Sequence, residues 1–350
     1  MIPTDRPEKL ARVRAIAAER GARGVRLTSA ASLAWLFDGA RVAVPFAGPA
    51  VLVAEVGADG ALLVRAPANE AARLRDEELG GDVEIHGFPW SEPFPAAPAG
   101  YVDEDDLAEE LRAARAALLP VELERYRRLG ADVAAIVTEV LAEARPETTE
   151  RALAAELARR IVTAGAEPMV LLVAGEARGH VPHPLPTAAP IGRRAMAVVG
   201  ARRHGLVVNL TRWVAADPTA VPGEAALREV EADAFAATVP GRILAEALGD
   251  IARSYERHGF GADGWLRHHQ GGPTGYAGRD PKATPETSDR IAARQAFSWN
   301  PWAPGLKLED TVIVGAGAVD VLTADPRWPA IDVRGVPRPC TLPMGSEIGS

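Results

Sequence analysis

Seven histidines are the side chains best suited to moving protons near neutral pH: His86, His180, His183, His204, His258, His268 and His269. An imidazole titrates near ~6.5, so small changes in its surroundings decide its charge. Four of them sit in irregular, Gly/Pro-rich segments, His180-Val181-Pro182-His183-Pro184 and Arg267-His268-His269-Gln270-Gly271-Gly272. Loops held by a rigid scaffold are where functional side chains gather. The spacing of His180 and His183 beside prolines is also a weak metal signal, although each histidine, taken singly, reads first as a surface or structural imidazole. The single cysteine, Cys340, excludes an intramolecular disulfide and a cysteine-built zinc or iron–sulfur centre. A net charge of −8 argues against a nucleic-acid partner, which would need a basic face. No apolar run approaches the roughly 18–20 residues of a membrane span. The first residues lack the charged-then-apolar layout of a signal peptide. The expectation is a cytoplasmic enzyme or binding protein with no membrane partner.

The elements that must hold these groups follow from periodicity. At 350 residues, 47% apolar and 25% charged, the chain is of ordinary globular composition and long enough for two domains. Asp5 suits the cap of a helix to Arg20, with Leu10, Val13 and Ile16 at helical spacing. A strand over Gly24–Leu27 leads to a short helix carrying Leu33, Trp35 and Leu36. The runs Ala50–Ala54 and Ala61–Val64 flank Gly57-Ala58-Asp59-Gly60 and predict a hairpin. Asn69–Leu79 reads as helix, Val83–His86 as strand, and Pro89–Pro98 as irregular. Pro120 suits the first turn of a long helix, and Thr148 the cap of the next. Strands are predicted at Met169–Val173, Ala195–Val199, Gly205–Val214, Ala296–Trp299, Thr311–Val314 and Val319–Leu322. Helices are predicted at Glu224–Val239 and Arg242–His258, and a loop or bulged strand over His268–Thr287. The chain from Val336 is expected to be a mobile tail.

Two stretches carry a resemblance. They are Gly200-Ala201-Arg202-Arg203-His204-Gly205-Leu206-Val207-Val208-Asn209-Leu210-Thr211-Arg212, and Ala296-Phe297-Ser298-Trp299-Asn300-Pro301 followed by Leu308-Glu309-Asp310-Thr311-Val312. With the upstream His183 and the His-His-Gln-Gly loop, their order resembles the pita-bread family of creatinases, prolidases, aminopeptidases P and methionine aminopeptidases over nearly the whole chain. The resemblance implies an α/β (α+β) fold. Residues 1–117 would form a small creatinase-like α/β domain, 118–335 a pita-bread catalytic-type domain, and 336–350 a C-terminal tail.

The family's peptidases hold two divalent ions with two Asp, one His and two Glu. Carried over residue by residue, the first Asp falls on Val198 and the second on Asn209. The ligand His falls on His269, the first Glu on Asn300 and the last on Glu309. A second family His falls on Tyr276, and the upstream active-site His on His183. A dinuclear site needs several anionic oxygens, so one His and one Glu hold neither two ions nor one tightly. The resemblance therefore implies no bound metal, no cofactor and a mechanism like that of the family's metal-free creatinases. His183 would carry the proton, Glu309 would be a fixed anion, and His269 a hydrogen-bond donor or second acid/base. Asn209, Asn300 and Gln270 would supply neutral amides, and Tyr276 a phenol. Trp302 would wall the pocket, with Trp299 packing in the core. Arg212 would touch substrate or form a structural ion pair.

The expected function is metal-independent C–N hydrolysis, or related proton transfer, on a small nitrogen-containing substrate. Two alternatives stay open. One is an inactive pseudopeptidase that binds a ligand or partner. The other is an Xaa-Pro-type metallopeptidase with a rebuilt ligand set, such as His180, His183, His269 and Glu309 around one ion. The resemblance also implies a homodimer, with the Pro89–Pro98 loop a candidate contact.

Overall fold

The computed structural model describes residues 4–219, 221–315 and 317–347. Its contacts divide into two units, residues 1–125 with 204–206, and residues 126–203 with 207–350. In the first unit the helix α1 (Arg6–Glu19) begins at Asp5, but the Asp5 side chain makes no capping bond and Pro7 occupies the first turn. A five-stranded sheet follows, built from β1 (Gly24–Leu27), β2 (Val53–Gly57), β3 (Leu62–Pro67), β4 (Ile85–Phe88) and β5 (Tyr101–Asp103) in the order β4-β3-β2-β1-β5. The predicted hairpin is the antiparallel β2–β3 pair, with Val56 opposite Leu62. Ser29 caps α2 (Ala30–Leu36), which buries Leu33, Trp35 and Leu36. Helices α3 (Ala68–Arg73) and α4 (Ala108–Ala116) complete the unit, and residues 89–98 form neither helix nor strand.

The long helix α5 (Pro120–Ala142) leads into the second unit and is followed by α6 (Glu150–Thr163). The α6 cap is Thr149, whose side chain accepts from the Ala152 N–H, one residue past the predicted Thr148. Two four-stranded sheets carry the unit. The first joins β6 (Glu167–Gly175), β7 (Arg194–Arg203) and β8 (Leu206–Ala215) to β17 (Leu342–Pro343). The second is β14 (Val319–Val321), β13 (Asp310–Val314), β10 (Ala296–Trp299) and β9 (Gly271–Thr274), in that order. Helices α7 (Glu224–Ala237) and α8 (Leu244–Arg257) bury Leu227, Val230, Leu248 and Ile251 against Phe297, Trp299, Val312 and Val314 of this sheet. Two short hairpins, β11 (Trp302–Ala303) with β12 (Leu306–Lys307) and β15 (Ala330–Val333) with β16 (Val336–Pro339), fill the remainder. No helix among the described residues is long and apolar enough to cross a membrane.

Of the segment expected to be a mobile tail, Val336–Pro339 and Leu342–Pro343 are built into the sheets, and residues 348–350 lie outside the described residues. Strand β16 pairs with β15, and β17 adds to β8 in parallel. The Arg338 side chain is 1% exposed and ion-paired to Glu231 at 2.6 Å and Asp310 at 2.8 Å. A buried guanidinium held by two carboxylates fixes the strand that carries it.

Candidate functional site

The two sheets of the second unit meet where β8 runs past the start of β13. Thr211 and Glu309 form an isolated antiparallel bridge there, with the Thr211 N–H donating to the Glu309 carbonyl at 2.9 Å. Side chains alternate along an extended strand, so Asn209 and Thr211 share one face of β8 and Arg212 lies on the other. The hydrogen bonds follow this alternation. Asn209 Nδ2 donates to the hydroxyls of Thr274 and Ser298, each at 3.4 Å, and Thr211 Oγ1 donates to Glu309 Oε2 at 3.2 Å. Arg212 instead donates to Asp310 Oδ1 and the Thr323 carbonyl, both at 2.7 Å, inside the cluster that holds Arg338. Of the two expected roles for Arg212, the structural ion pair is the one formed.

Glu309 is 2% exposed, and its second oxygen, Oε1, accepts from Arg279 Nη2 at 2.6 Å. A guanidinium thus occupies the place beside this carboxylate. Val198 is packed with Leu172, Ala174, Met196 and Trp213 in an apolar cluster. Asn300 is 2% exposed, and its Oδ1 is buried without a partner among the described residues.

The histidines gather on the other side of the site. A short helical turn over Gly264–Arg267 ends at His268, and Gly271-Gly272 then starts β9. Gly271 has φ +96°, and a Cβ there would lie 2.0 Å from the Ser298 carbonyl oxygen. Only glycine lets β9 approach β10 this closely, and that approach sets the loop carrying His268 and His269. Gln270 holds the same loop. Its amide donates to the carbonyls of Trp265 and His268, both at 2.7 Å, and accepts from Tyr255 Oη at 2.9 Å. Gln270 is therefore spent on loop structure and has no amide donor left for a substrate.

His183, on the exposed loop after β6, reaches into this group. Its Nε2 lies 3.1 Å from His268 Nε2, and its ring centroid is 5.5 Å from that of His269. The rings of His268 and His269 stack at 4.5 Å, and Trp302 lies against His268 at 6.3 Å. Candidate ligand atoms of all three histidines lie within 4.8 Å of one another. His180 is exposed and lies outside the cluster. Tyr276 is buried in the loop after β9. Trp299 packs in the core, stacked on Phe297 and donating to Thr238 Oγ1 at 2.8 Å.

Burial, with Lys307 next in weight, pushes His268 down to about 2. Burial and then Arg279 push His269 down to about 3. His183 is also lowered, first by burial and then by Lys307, against the opposing pull of Glu309. All three are neutral imidazoles at pH 7, each with one nitrogen able to accept a proton.

Three groups at the site are not expected from sequence. His268 is visible there only as a neighbour of His269. Arg279 lies in an unpatterned Gly-Arg-Asp stretch. Lys307 is 2% exposed, with Nζ 3.3 Å from His268 Nε2. It stands two residues before Glu309, a spacing that in an extended chain puts both on one face.

Solved structures with this fold include dipeptidase PepE from Mycobacterium ulcerans, similar with a TM-score of 0.73 at 20% identity over 92% of this chain and 96% of that one. The prolidase from Pyrococcus horikoshii OT3 gives 0.72 at 16% identity over 91% and 98%. The N-terminal domain of FACT complex subunit SPT16 from Cicer arietinum gives 0.65 at 14% identity over 91% and 97%. No curated protein matches the sequence. The model of metallopeptidase family M24 matches residues 124–316, which include every side chain of the site from His183 to Glu309. With more than half of its length inside that match and the pita-bread arrangement of its sheets, the chain belongs to metallopeptidase family M24.

Proposed function

We propose that this M24 chain is a hydrolase-type enzyme that works on a small nitrogen-containing substrate without a metal ion. The observation that carries the reading is the fate of Glu309. It is the one carboxylate at the positions where the resemblance puts five metal ligands, and it is committed to Arg279 at 2.6 Å. Val198, Asn209 and Asn300 at three of the other positions supply one apolar side chain and two neutral amides. Hard divalent ions need anionic oxygens, so this donor set does not fit a dinuclear centre.

In this reading His183 takes and returns the proton. It is exposed, neutral at pH 7 and hydrogen-bonded to His268, which orients its ring. The Arg279 guanidinium, fixed by Glu309, keeps a buried Nε–H without an acceptor among the described residues. Such a donor suits the oxyanion that forms when water adds to a C–N carbon. His269, Asn209 and Asn300 line the same group and position polar atoms of the substrate. A homodimer in the cytoplasm, implied by the resemblance, belongs to the same proposal. Sedimentation of the purified chain tests the dimer.

One observation favours the second reading, a metallopeptidase with rebuilt ligands: three imidazoles lie within 4.8 Å of one another. The Lys307 ammonium, 3.3 Å from His268 Nε2, opposes it, because a divalent cation placed there meets a like charge in a buried setting.

Chelator-dialysed protein, assayed on dipeptides, Xaa-Pro peptides and guanidino acids, separates the readings. The proposal expects turnover that chelator leaves intact. It also expects His183→Ala to lower kcat by about 10²-fold or more, within the usual contribution of a general acid/base. Turnover seen only after manganese, cobalt or zinc is added back would contradict it.

A further inference from the structure

Lys307 is the charged group at the site that the proposed chemistry leaves without a task. It is 2% exposed, and its Nζ meets an imidazole at 3.3 Å but forms no ion pair among the described residues. Long cationic side chains are seldom buried without a counter-ion, because removing an ammonium from water is costly.

The surroundings make the imbalance larger. Four charged groups act most strongly on His183: Lys307, Glu309, Lys282 and Arg279. Three are cations, and the one anion, Glu309, is already paired with Arg279. At the core of the group the buried Lys307 and the half-buried Arg279 face one carboxylate, and burial presses the Lys307 ammonium towards its neutral form against the pull of Glu309. An uncommitted donor lies beside the group: Trp302 Nε1 is buried without a partner among the described residues and can only donate. His268 Nδ1 and His269 Nδ1 are buried without partners as well. Buried polar groups in native proteins nearly always have partners, so these unfilled groups around a buried ammonium mark a place that an anion fits. The orphaned acceptor at the site, Asn300 Oδ1, suits an N–H on the same molecule.

We propose that the site takes a small dianion, a dicarboxylate or a phosphate monoester bearing an N–H group, with Lys307 as its counter-ion. This deepens the metal-free reading and rests on it, since two bound divalent ions would themselves supply the positive charge. Lys307 is a specificity-determining residue here, and the neutral imidazoles beside it act on the nitrogen-bearing end.

Calorimetric titration of the chelator-dialysed full chain tests this with succinate, inorganic phosphate, acetate and acetamide as probes. The expected result is saturable binding of at least one dianion, at least about tenfold weaker binding of acetate, and none of acetamide. A preference for succinate or for phosphate decides between the two sources of charge. Lys307→Met should weaken the favoured dianion by about 10- to 100-fold, in line with loss of one charge-assisted contact. No dianion binding in the millimolar range, or equal affinity in a natively folded Lys307→Met protein, overturns the proposal. If Lys307→Met fails to fold, imidazole NMR of the wild type decides. The favoured dianion must shift the His183, His268 and His269 signals, and a dianion that binds without moving them overturns it too. Metal content is measured on the same preparation before dialysis. Bound metal there would overturn the metal-free reading, whereas a metal-free protein indifferent to dianions would overturn this inference alone.

Discussion

At the scale of single residues, the site runs on imidazoles kept neutral by their surroundings, and this has a consequence for stability. Unfolded, His268 and His269 titrate near ~6.5. Folded, burial helped by Lys307 and Arg279 holds them to about 2 and about 3. Below pH ~6.5 the unfolded chain gains protons that the folded chain refuses, so stability falls with pH. The stabilisation is full above ~6.5 and is lost progressively as the pH drops, towards about 3 for His269 and about 2 for His268. Melting temperature should therefore decline between pH 7 and pH 4.5, and the decline should be shallower in His268→Gln. Parallel curves for the two proteins would contradict the assignment. Residue types and a family resemblance are enough to group His183, His269, Asn209, Asn300 and Glu309 as one candidate site. Arg279 and Lys307 escape a reading of the sequence because a lone cation in a loop or strand looks like any solvated charge until its burial is known. Gln270 and Arg212 have the hydrogen-bond capacity of substrate contacts, and that capacity is visible in sequence, but its commitment to other partners is not.

At the scale of elements, two devices hold the site. One is the Gly271-Gly272 pair, where β9 presses against β10. Gly271→Ala puts a methyl 2.0 Å from a backbone oxygen at φ +96°, and should destabilise by more than about 2 kcal/mol in urea unfolding. A change below ~0.5 kcal/mol would show that the strand has room to move. The other is the C-terminal hairpin. Arg338→Ala leaves Glu231 and Asp310 as buried carboxylates without that partner, and should cost about 3–5 kcal/mol. Arg159→Ala, removing an exposed pair with Glu156, is the control and should change nothing measurable. The long helices and the strands β6, β7, β8, β10 and β13 are legible in sequence because apolar runs and caps mark them. The hairpin β15–β16 is not. Its strand Val336-Pro337-Arg338-Pro339 alternates prolines with a charge, which reads as coil, and its pairing depends on the turn at Arg334-Gly335, both at positive φ.

At the scale of the whole molecule, a peptidase-family fold carries a site whose metal-ligand positions, in the proposed reading, are filled by other groups. Fold and chemistry are separable, since a scaffold can carry unrelated sites. In the proposed reading Arg279 and Lys307 supply at this site the positive charge that metal ions would otherwise bring. The order of elements across nearly the full chain is readable from His183, the His-His-Gln-Gly loop and the stretches 200–212 and 296–312, whereas the proposed replacement rests on the pairing of Glu309 with Arg279, which no sequence pattern announces. The most direct test of a metal-free site is elemental mass spectrometry of the untagged chain, purified without chelator and measured against protein concentration. Manganese, cobalt, iron and zinc should all lie far below one ion per chain, with no rise in melting temperature when they are added. One or more tightly held ions per chain, lost together with activity on dialysis against chelator, would contradict it.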